Sequence, residues 1–414
     1  MVKIAYIAIG SELLNGKITN TNATKAGRML EQAGFQLAEI ITIPDTWDAI
    51  LESLVYAHAR HEVVLISGGL GPTKDDITKN VLAHWSQSPL VEHGPTLEFL
   101  VRRYETLDRP LTDLTRAQAM VPAAGTVIPN AQGTAPCMAF EQEGKWVFSM
   151  PGVPFEMLHI LAHEIIPRLQ QSYQQLTPLR HLIRVEDLAE SVAAQRMEAL
   201  EEKLPEAFSV SYLPRKDGLW IELSTLAKPE ELPEAQKAAA DWGAQIDGLF
   251  PSEIYARDDR PLEVLLATAF REKGLTLAIA ESLTGGHLAA TVVSISGAST
   301  FFAGSVTAYA IPVKISVLKV PAALIEEKGV VSAEVAQAMA QGVRKLLKAD
   351  IGLATTGWAE ADEEVPAQAW IGYADEQETD AKHVRLYHKR AVNIDRTAHH
   401  AMRFVLKKVR GRLA

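Results

Sequence analysis

Short apolar runs alternate with amphipathic stretches over the first 66 residues of the chain. The apolar runs cover residues 3–9, 35–43 and 63–66, and the amphipathic stretches between them cover residues 23–33 and 46–59. A strand–helix–strand–helix–strand order is typical of a parallel sheet with helices packed on its faces. The sequence therefore predicts an α/β fold, in which ligands bind beyond the carboxyl ends of the strands.

A glycine-rich turn follows the third apolar run, at residues 67–78. It contains Gly68, Gly69 and Gly71 and then two adjacent carboxylates, Asp75 and Asp76. Unpaired backbone N–H groups in such a turn suit phosphate oxygens, whereas carboxylates repel phosphate. The combination predicts a divalent cation that bridges protein and phosphate, without indicating which metal it is. A tight turn followed by an acidic helix start explains the same residues, and both interpretations stay open.

Polar residues also follow the first apolar run. Gly10 and Glu12 lie in the turn after residue 9, and Asn22 precedes the first helical stretch. The carboxyl ends of neighbouring parallel strands meet at one edge of a sheet, so these residues are expected in the same crevice as Asp75 and Asp76. For Asn22, capping of the helix is the simpler alternative.

Composition narrows the possible classes of protein. The 414 residues suggest two or three domains, and 41 basic against 51 acidic side chains give a net charge of −10. This balance argues against a general binder of nucleic acid backbones. No apolar run is long enough to span a membrane, the N-terminus lacks a signal-peptide pattern, and the single cysteine, Cys137, fits a reducing compartment. We therefore expect a cytoplasmic protein without a membrane or nucleic acid partner.

A second strand-to-helix turn carries a candidate nucleophile. The strand predicted at residues 275–279 runs into Glu281 and Ser282, and Tyr309 and Lys314 follow about 30 residues later. A serine needs a base to become nucleophilic, and a lysine can serve when burial lowers its pKa. A capping serine, a packing tyrosine and a surface lysine are the structural alternative.

Several of these motifs together resemble the CinA (competence/damage-inducible) family over nearly the whole chain. They include the glycine-rich turn, the segments at residues 10–14 and 20–22, the loop at 130–136 and the Pro-Gly-Val-Pro sequence at 151–154. The resemblance implies a three-layer molybdopterin-binding-type domain at 1–171, a small α+β domain at 172–255 and an α/β deamidase-like domain at 256–414. It also implies homodimers. The middle segment has no catalytic cluster, so it is interpreted as a spacer or as packing for a dimer.

The resemblance implies an activity for the first domain. In this family the domain is associated with metal-dependent hydrolysis of ADP-ribose at its pyrophosphate. The implied metal ligands are Asp75 and Asp76. The implied substrate-binding residues are Gly10, Glu12, Asn22, Gly68, Gly69, Gly71, Thr73, Asn130 and Gly133.

The last domain resembles nicotinamide mononucleotide deamidase. The resemblance implies that Ser282 attacks the nicotinamide amide while Tyr309 and Lys314 assist proton transfer. Thr284, Gly285 and Gly286 match the family's substrate-binding turn, and Arg396 matches an arginine that could hold the nucleotide phosphate.

Two departures from the family pattern are evident. Cys137 replaces a usual glycine and is expected to narrow the mouth of the first pocket. The loop at residues 357–368 has lost its Gly-Pro sequence and carries Glu360, Asp362, Glu363 and Glu364, with Gln368 in place of a later glycine. An acidic, bulkier loop disfavours an anionic nucleotide, so deamidation is expected to be weak or undetectable. A non-catalytic nucleotide- or pterin-binding regulator and a role in molybdenum-cofactor assembly remain alternatives.

Overall fold

A computed structural model describes residues 2–73, 75–174, 176–361 and 365–411. The chain divides into two compact units. The first unit comprises Met1–Leu179 with Thr225–Lys237, and the second comprises Arg180–Ser224 together with the chain from Ala238 onward. The predicted division into three domains stays a prediction.

The first unit begins with the predicted alternation of strands and helices. Its strands are β1 (Ile4–Ile9), β2 (Leu37–Ile43), β3 (Val63–Ser67), β4 (Leu90–Glu92), β5 (Met120–Pro122), β6 (Thr126–Ile128), β7 (Cys137–Gln142) and β8 (Lys145–Met150). Its helices are α1 (Ser11–Leu14), α2 (Thr21–Gln32), α3 (Trp47–Arg60), α4 (Thr78–Trp85), α5 (Gly94–Thr106), α6 (Asp113–Arg116), α7 (Pro154–Ile160) and α8 (Ile166–Ser172).

The main sheet of this unit has six strands in the order β2-β1-β3-β8-β7-β6. Neighbouring strands from β2 through β1 and β3 to β8 are parallel, whereas β7 and β6 add on in antiparallel pairs. The parallel part confirms the predicted α/β class. The antiparallel strands β6 and β7, which flank a polar loop, were not predicted.

Apolar residues cover both faces of this sheet, as expected for parallel strands between helical layers. Along β1, Tyr6 packs into a core with Leu30 of α2 and Phe148 of β8. Its neighbour Ile7 points to the other face, where a second core includes Leu54 of α3. The unit therefore has the predicted three layers.

The glycine-rich turn after β3 is shaped by contacts within the protein. Gly68 has a φ of +115°, and a Cβ atom there would lie 2.5 Å from the carbonyl oxygen of Ile9. A Cβ atom at Gly69, where φ is +67°, would collide with the hydroxyl of Thr78. Side chains are therefore excluded at both positions, because the turn passes directly against β1 and the start of α4.

The second unit contains two sheets. Its strands are β9 (Thr177–Val185), β10 (Ser209–Arg215), β11 (Gly218–Ala227), β12 (Ile254–Ala256), β13 (Leu277–Glu281), β14 (Phe302–Thr307), β15 (Ile351–Trp358), β16 (Gln368–Ala374) and β17 (Thr379–Arg385). Its helices are α9 (Glu190–Glu201), α10 (Leu232–Leu249), α11 (Leu262–Lys273), α12 (His287–Val293), α13 (Ile311–Ser316), α14 (Ala322–Lys328), α15 (Ala333–Leu347) and α16 (Arg390–Gly411). Strand β9 and the ends of β11 and α10 cross the boundary between the units.

The smaller sheet has the order β10-β11-β9-β12 and forms an α+β core with α9 and the end of α10. The larger sheet has the order β14-β13-β15-β16-β17, in which β14, β13 and β15 are parallel. Helices α11, α12 and α16 pack on one face of the larger sheet, and α15 packs on the other. The predicted α+β and α/β classes are therefore both confirmed.

We examined whether any helix could insert in a lipid bilayer. Within the described ranges, none combines the length and the apolar character that a membrane-spanning helix requires.

Replacement of Gly68 by alanine tests how strongly the turn depends on this residue. Gly68→Ala should lower the free energy of unfolding of the first unit by about 2–5 kcal/mol, since it adds backbone strain and displaces Ile9. Gly144→Ala is the matched control, because Gly144 also has a positive φ of +75° but open space around it. The control should lose only about 1–2 kcal/mol. Denaturant-dependent hydrogen exchange of β3 amides measures both values, and equal losses would contradict the packing argument.

Candidate functional sites

A cavity of about 560 Å³ opens where β1, β3 and β8 end in the first unit. This is the edge of the sheet at which the sequence predicted a ligand. Predicted residues that line the cavity are Glu12, Asn22, Gly68, Gly69, Gly71, Asp75 and Asp76. The cavity lining does not include Gly10, Thr73, Asn130 or Gly133, although their neighbours Ile9, Pro72 and Thr134 belong to it.

The glycine turn presents unused hydrogen-bond donors to this cavity. In the part of the chain that the structure describes, the backbone N–H groups of Gly69, Leu70 and Gly71 have no hydrogen-bond acceptor. All three residues line the cavity. Successive free N–H groups in a turn form a concave site for an anion. Lys74, in the same turn, lies outside the described residues.

Asp75 and Asp76 differ in their surroundings. Asp76 accepts a 2.9 Å hydrogen bond from the backbone N–H of Thr73 and a second one from its hydroxyl, both at Oδ2. Hydrogen bonding from Thr73 also lowers the pKa of Asp75, which lies exposed to solvent. Asp76 therefore braces the turn with one oxygen, and Thr73 contributes by holding Asp76.

The loop at residues 130–136 is organised by Asn130. Its Oδ1 accepts hydrogen bonds from the N–H groups of Gln132 and Gly133, and its Nδ2 donates to Ala135 and, at 2.6 Å, to Glu156. A Cβ atom at Gly133 would collide with the carboxylate of Glu156. Asn130 and Gly133 therefore shape the wall of the cavity and hold Glu156, which itself lines it.

The two asparagines at the start of α2 have separate structural roles. Asn20 caps the helix by accepting a 3.1 Å hydrogen bond from the N–H of Ala23. Asn22 instead donates its Nδ2 to the carbonyl of Gly152 at 2.8 Å, which links α2 to the turn after β8. Among the described residues, the buried Oδ1 of Asn22 has no hydrogen-bond partner.

The lining of the cavity is strongly acidic. Its carboxylates are Glu12, Asp45, Asp75, Asp76 and Glu156, and its described lining residues include neither lysine nor arginine. Sequence analysis did not find Asp45 or Glu156, which no recognisable motif contains. A phosphate in this cavity therefore requires a cation to offset the negative charge.

The acidic lining was compared with the needs of a divalent metal ion. Residues 2–73, 75–174, 176–361 and 365–411 contain no group of three or more His, Cys, Asp or Glu side chains arranged to hold a metal. Mg²⁺, however, is commonly held by one or two carboxylates, with waters and substrate phosphates completing its shell. Asp75 and the remaining oxygen of Asp76 fit that requirement.

The second unit contains a preformed serine–lysine pair. Ser282 lies directly after β13, and its Oγ accepts a 2.9 Å hydrogen bond from the Nζ of Lys314 on α13. The ammonium also donates to the carbonyls of Ala308 at 2.5 Å and Tyr309 at 3.0 Å. Both side chains are buried. The structure thus brings together two of the three residues expected to carry catalysis.

Burial sets the chemistry of this pair. It lowers the pKa of Lys314 from 10.5 to about 8, because a charged ammonium is disfavoured away from water. The three oxygen atoms around Nζ are uncharged. A lysine with such a pKa can be neutral near physiological pH and can accept the proton of the neighbouring serine.

The turn after Ser282 differs from the expected anion site. The buried carboxylate of Glu281 accepts hydrogen bonds from the N–H groups of Gly286, Leu288 and Ala289. The donors at the start of α12 are therefore occupied by the protein itself. Thr284 pairs with Thr355 through their hydroxyls at 2.7 Å, and Gly285 and Gly286 form the turn with positive φ angles.

The structure does not place the hydroxyl of Tyr309 against Ser282. Tyr309 is 61% exposed, and its hydroxyl accepts a 3.2 Å hydrogen bond from Arg390 at the start of α16. Arg396, six residues further along α16, is half-buried, and its guanidinium has no hydrogen bond or ion pair with any described residue. Arg390 is thus a candidate for anion binding that sequence analysis missed.

The altered loop has one described carboxylate near this arginine. Glu360 lies 3.9 Å from Arg390, whereas Asp362, Glu363 and Glu364 lie outside the described residues. Gln368 bonds to His383 of β17, on the side of β16 away from β13. The obstruction expected from Gln368 is therefore directed away from Ser282, whereas Glu360 competes for a cation near Tyr309.

The expectation for Cys137 was wrong. Its side chain is fully buried at the start of β7 and packs in the core beside α7 and α8. It does not belong to the cavity lining. Burial raises the pKa of the thiol, which keeps it protonated.

Comparisons with known proteins agree with this arrangement. Residues 5–171 match the probable molybdopterin binding domain, and residues 259–409 match the CinA C-terminal domain. A CinA-like protein of Flavobacterium psychrophilum is 32% identical over 99% of both chains. The chain belongs to the CinA-like protein family. A second CinA-like protein, from Cytophaga hutchinsonii, is 34% identical over 95% of this chain and 94% of its own.

A solved member covers only part of this CinA-like chain. The crystal structure of the protein CinA from Thermoplasma acidophilum, titled as having unknown function, is 29% identical and aligns with a TM-score of 0.36. The alignment covers 41% of this chain and 96% of that one.

Reactivity of Ser282 should follow the ionisation of Lys314. A fluorophosphonate reagent should modify Ser282, with a rate that rises about tenfold per pH unit below pH 8 and levels off above it, because only neutral lysine accepts the proton. Lys314→Met should remove this pH dependence and lower the plateau at least about a hundredfold. Intact-mass measurement over pH 6–10 follows the modification, with Ser282→Ala as the control. A flat wild-type profile would contradict the assignment of the base.

Proposed function

We propose that the cavity of the first unit hydrolyses ADP-ribose at its pyrophosphate with the help of a divalent metal ion. One observation carries this proposal. The free N–H groups at Gly69–Gly71 and several carboxylates line the same cavity. The N–H groups suit phosphate oxygens, and the carboxylates suit a cation that neutralises them. Without a cation, the carboxylates would repel pyrophosphate from the N–H groups.

The contacts of the lining residues suggest a separate role for each of them. Asp75 and the free oxygen of Asp76 would hold the metal, which when bound supplies Lewis-acid polarisation of the phosphate oxygens. The N–H groups of the turn bind and orient the pyrophosphate. Glu156 is held by Asn130 and is a candidate to accept a proton from an attacking water.

Asp75→Asn tests the metal assignment with the least disturbance of the fold. It should lower the rate of AMP release from ADP-ribose at least about tenfold at limiting Mg²⁺ or Mn²⁺, since it removes one ligand oxygen charge. Asp76→Asn is less clean, because Asp76 also braces Thr73. Asp48→Asn, an exposed change on α3, is the matched control and should keep full activity.

The outcomes of these experiments distinguish a hydrolase from a protein that only binds nucleotides or pterins. Full activity of Asp75→Asn at limiting metal would contradict the ligand assignment. Binding of ADP-ribose by the wild type without AMP release under any metal would favour the regulatory alternative. Tighter binding of a pterin phosphate than of ADP-ribose would favour molybdenum-cofactor assembly.

We propose a second activity, deamidation of nicotinamide mononucleotide, for the Ser282–Lys314 pair. The 2.9 Å contact and the lowered pKa of Lys314 support a serine nucleophile that attacks the amide carbon and releases ammonia. Arg390 donates a hydrogen bond to the hydroxyl of Tyr309 and would meet the substrate phosphate. Glu360 opposes this contact, so turnover is expected to be weak or undetectable.

Glu360→Gln should therefore improve deamidation. We expect the KM for nicotinamide mononucleotide to fall about threefold to tenfold with little change in kcat, because the change frees Arg390 but leaves the serine in place. Glu272→Gln, an exposed change on α11, is the control. Ammonia release is the measurement, and Ser282→Ala should abolish it. Strong wild-type turnover that Glu360→Gln does not change would show that the loop does not limit the reaction.

We also propose that the protein forms a homodimer. The family resemblance supports this proposal.

A further inference from the structure

Glu281 is a buried carboxylate next to the proposed nucleophile. It is the last residue of β13, and its side chain is fully buried. Oε2 accepts hydrogen bonds from Gly286 at 3.0 Å and Leu288 at 3.1 Å, and Oε1 accepts one from Ala289 at 2.9 Å. Acceptance at both oxygens is the pattern of a carboxylate.

These hydrogen bonds offset the loss of hydration that burial imposes on the carboxylate of Glu281. No lysine, arginine or histidine among the described residues forms an ion pair with Glu281. A buried charge without partners is strongly disfavoured, whereas bonds from N–H groups to a carboxylate are about twice as strong as neutral ones. The charge on Glu281 is therefore stabilised only when the turn and α12 keep their present conformation. The same hydrogen bonds stabilise the conformation of the turn.

The backbone of Glu281 ties this turn to the lysine. Its carbonyl accepts a 2.7 Å hydrogen bond from the N–H of Ala308, and the carbonyls of Ala308 and Tyr309 hold the ammonium of Lys314. On its other side, the N–H of Ser282 donates to Thr355 of β15 at 2.9 Å. Glu281 thus connects the segment that carries the nucleophile with the segment that holds its base.

We propose that Glu281 is a positioning residue that fixes the separation of the Ser282 hydroxyl from the Lys314 ammonium by anchoring the turn after β13. The proposal rests on the proposed serine chemistry of the same site. Burial is the cause of the lowered pKa of Lys314, and no hydrogen bond or ion pair joins the side chains of Glu281 and Lys314 among the described residues. Glu281 therefore affects the position of the pair and not the pKa of Lys314. A change at Glu281 should therefore alter the rate of reaction without moving its dependence on pH.

Fluorophosphonate modification of the full chain separates these effects. In this reaction the Ser282 oxygen forms a bond to phosphorus, the phosphorus–fluorine bond breaks, fluoride leaves and Lys314 takes the hydroxyl proton. Glu281→Gln replaces one oxygen with an NH₂ group that faces N–H donors and so releases the turn. Asp375→Asn is the matched control, because Asp375 also accepts N–H groups, from Gln377 and Glu378, in a turn of the same unit.

The expected result is a plateau rate about tenfold to a hundredfold lower in Glu281→Gln, with the midpoint still near pH 8, and an unchanged profile in Asp375→Asn. Hydrogen exchange should rise at the N–H groups of Gly286, Leu288 and Ala289 in the Glu281 variant. If Glu281→Gln does not fold, Glu281→Asp keeps the charge but shortens its reach, and its plateau should fall at least about threefold.

The contrary outcomes are distinct. An unchanged plateau in a folded Glu281 variant, or a shifted midpoint, would overturn the positioning role while leaving the serine chemistry intact. Absence of modification in the wild type would overturn the serine chemistry and, with it, the role of Glu281.

Discussion

In both units, a strand is followed by a turn and then a helix. The first N–H groups of a helix have no hydrogen-bond partners inside the helix. Both candidate sites depend on which acceptors the N–H groups of the turn and of the helix start find. In the first unit, the N–H groups at Gly69–Gly71 remain open to the cavity among the described residues. In the second unit, the carboxylate of Glu281 fills the corresponding place. The connection from strand to helix thus leaves room for an anion in one unit and contains an internal one in the other.

This difference determines the chemistry that each turn supports. An open turn beside carboxylates favours phosphate together with a cation, and here the carboxylates come from separate parts of the first unit, such as Glu12, Asp45 and Glu156. A filled turn is rigid and suits the presentation of a side chain. Ser282 sits on such a turn, and its base reaches it from α13. The two units therefore present sites of different chemistry, each at the end of a strand in an α/β sheet.

Burial is the second physical factor in the serine–lysine pair. Lys314 is surrounded by a hydroxyl and two carbonyls in the described structure, so its charge is solvated by dipoles alone. This lowers the pKa of Lys314 and makes it a plausible base. The exposed rim, where Arg390 contacts both Tyr309 and Glu360, would instead bind the substrate in the proposed deamidation. The proposal thus assigns reactivity to buried groups and recognition to exposed ones.

The sequence by itself determined the order of strands and helices, because hydrophobic periodicity and glycine turns are local properties of the chain. The amphipathic stretches predicted at residues 23–33 and 46–59 correspond to α2 and α3, and the α/β class followed from the alternation of elements. The glycine turn and the Ser282 turn were also recognisable, since each is a contiguous motif. Only the tertiary structure decided which side chains join them. Asn130 and Glu156, which are 26 residues apart in the chain, are one such pair. The pair of Ser282 and Lys314, 32 residues apart, was an exception, because the family resemblance implied it. It also moved Cys137 into a core, placed Tyr309 against Arg390 and used Glu281 as an anchor. These contacts depend on packing between distant segments, for which a local sequence pattern carries no signal.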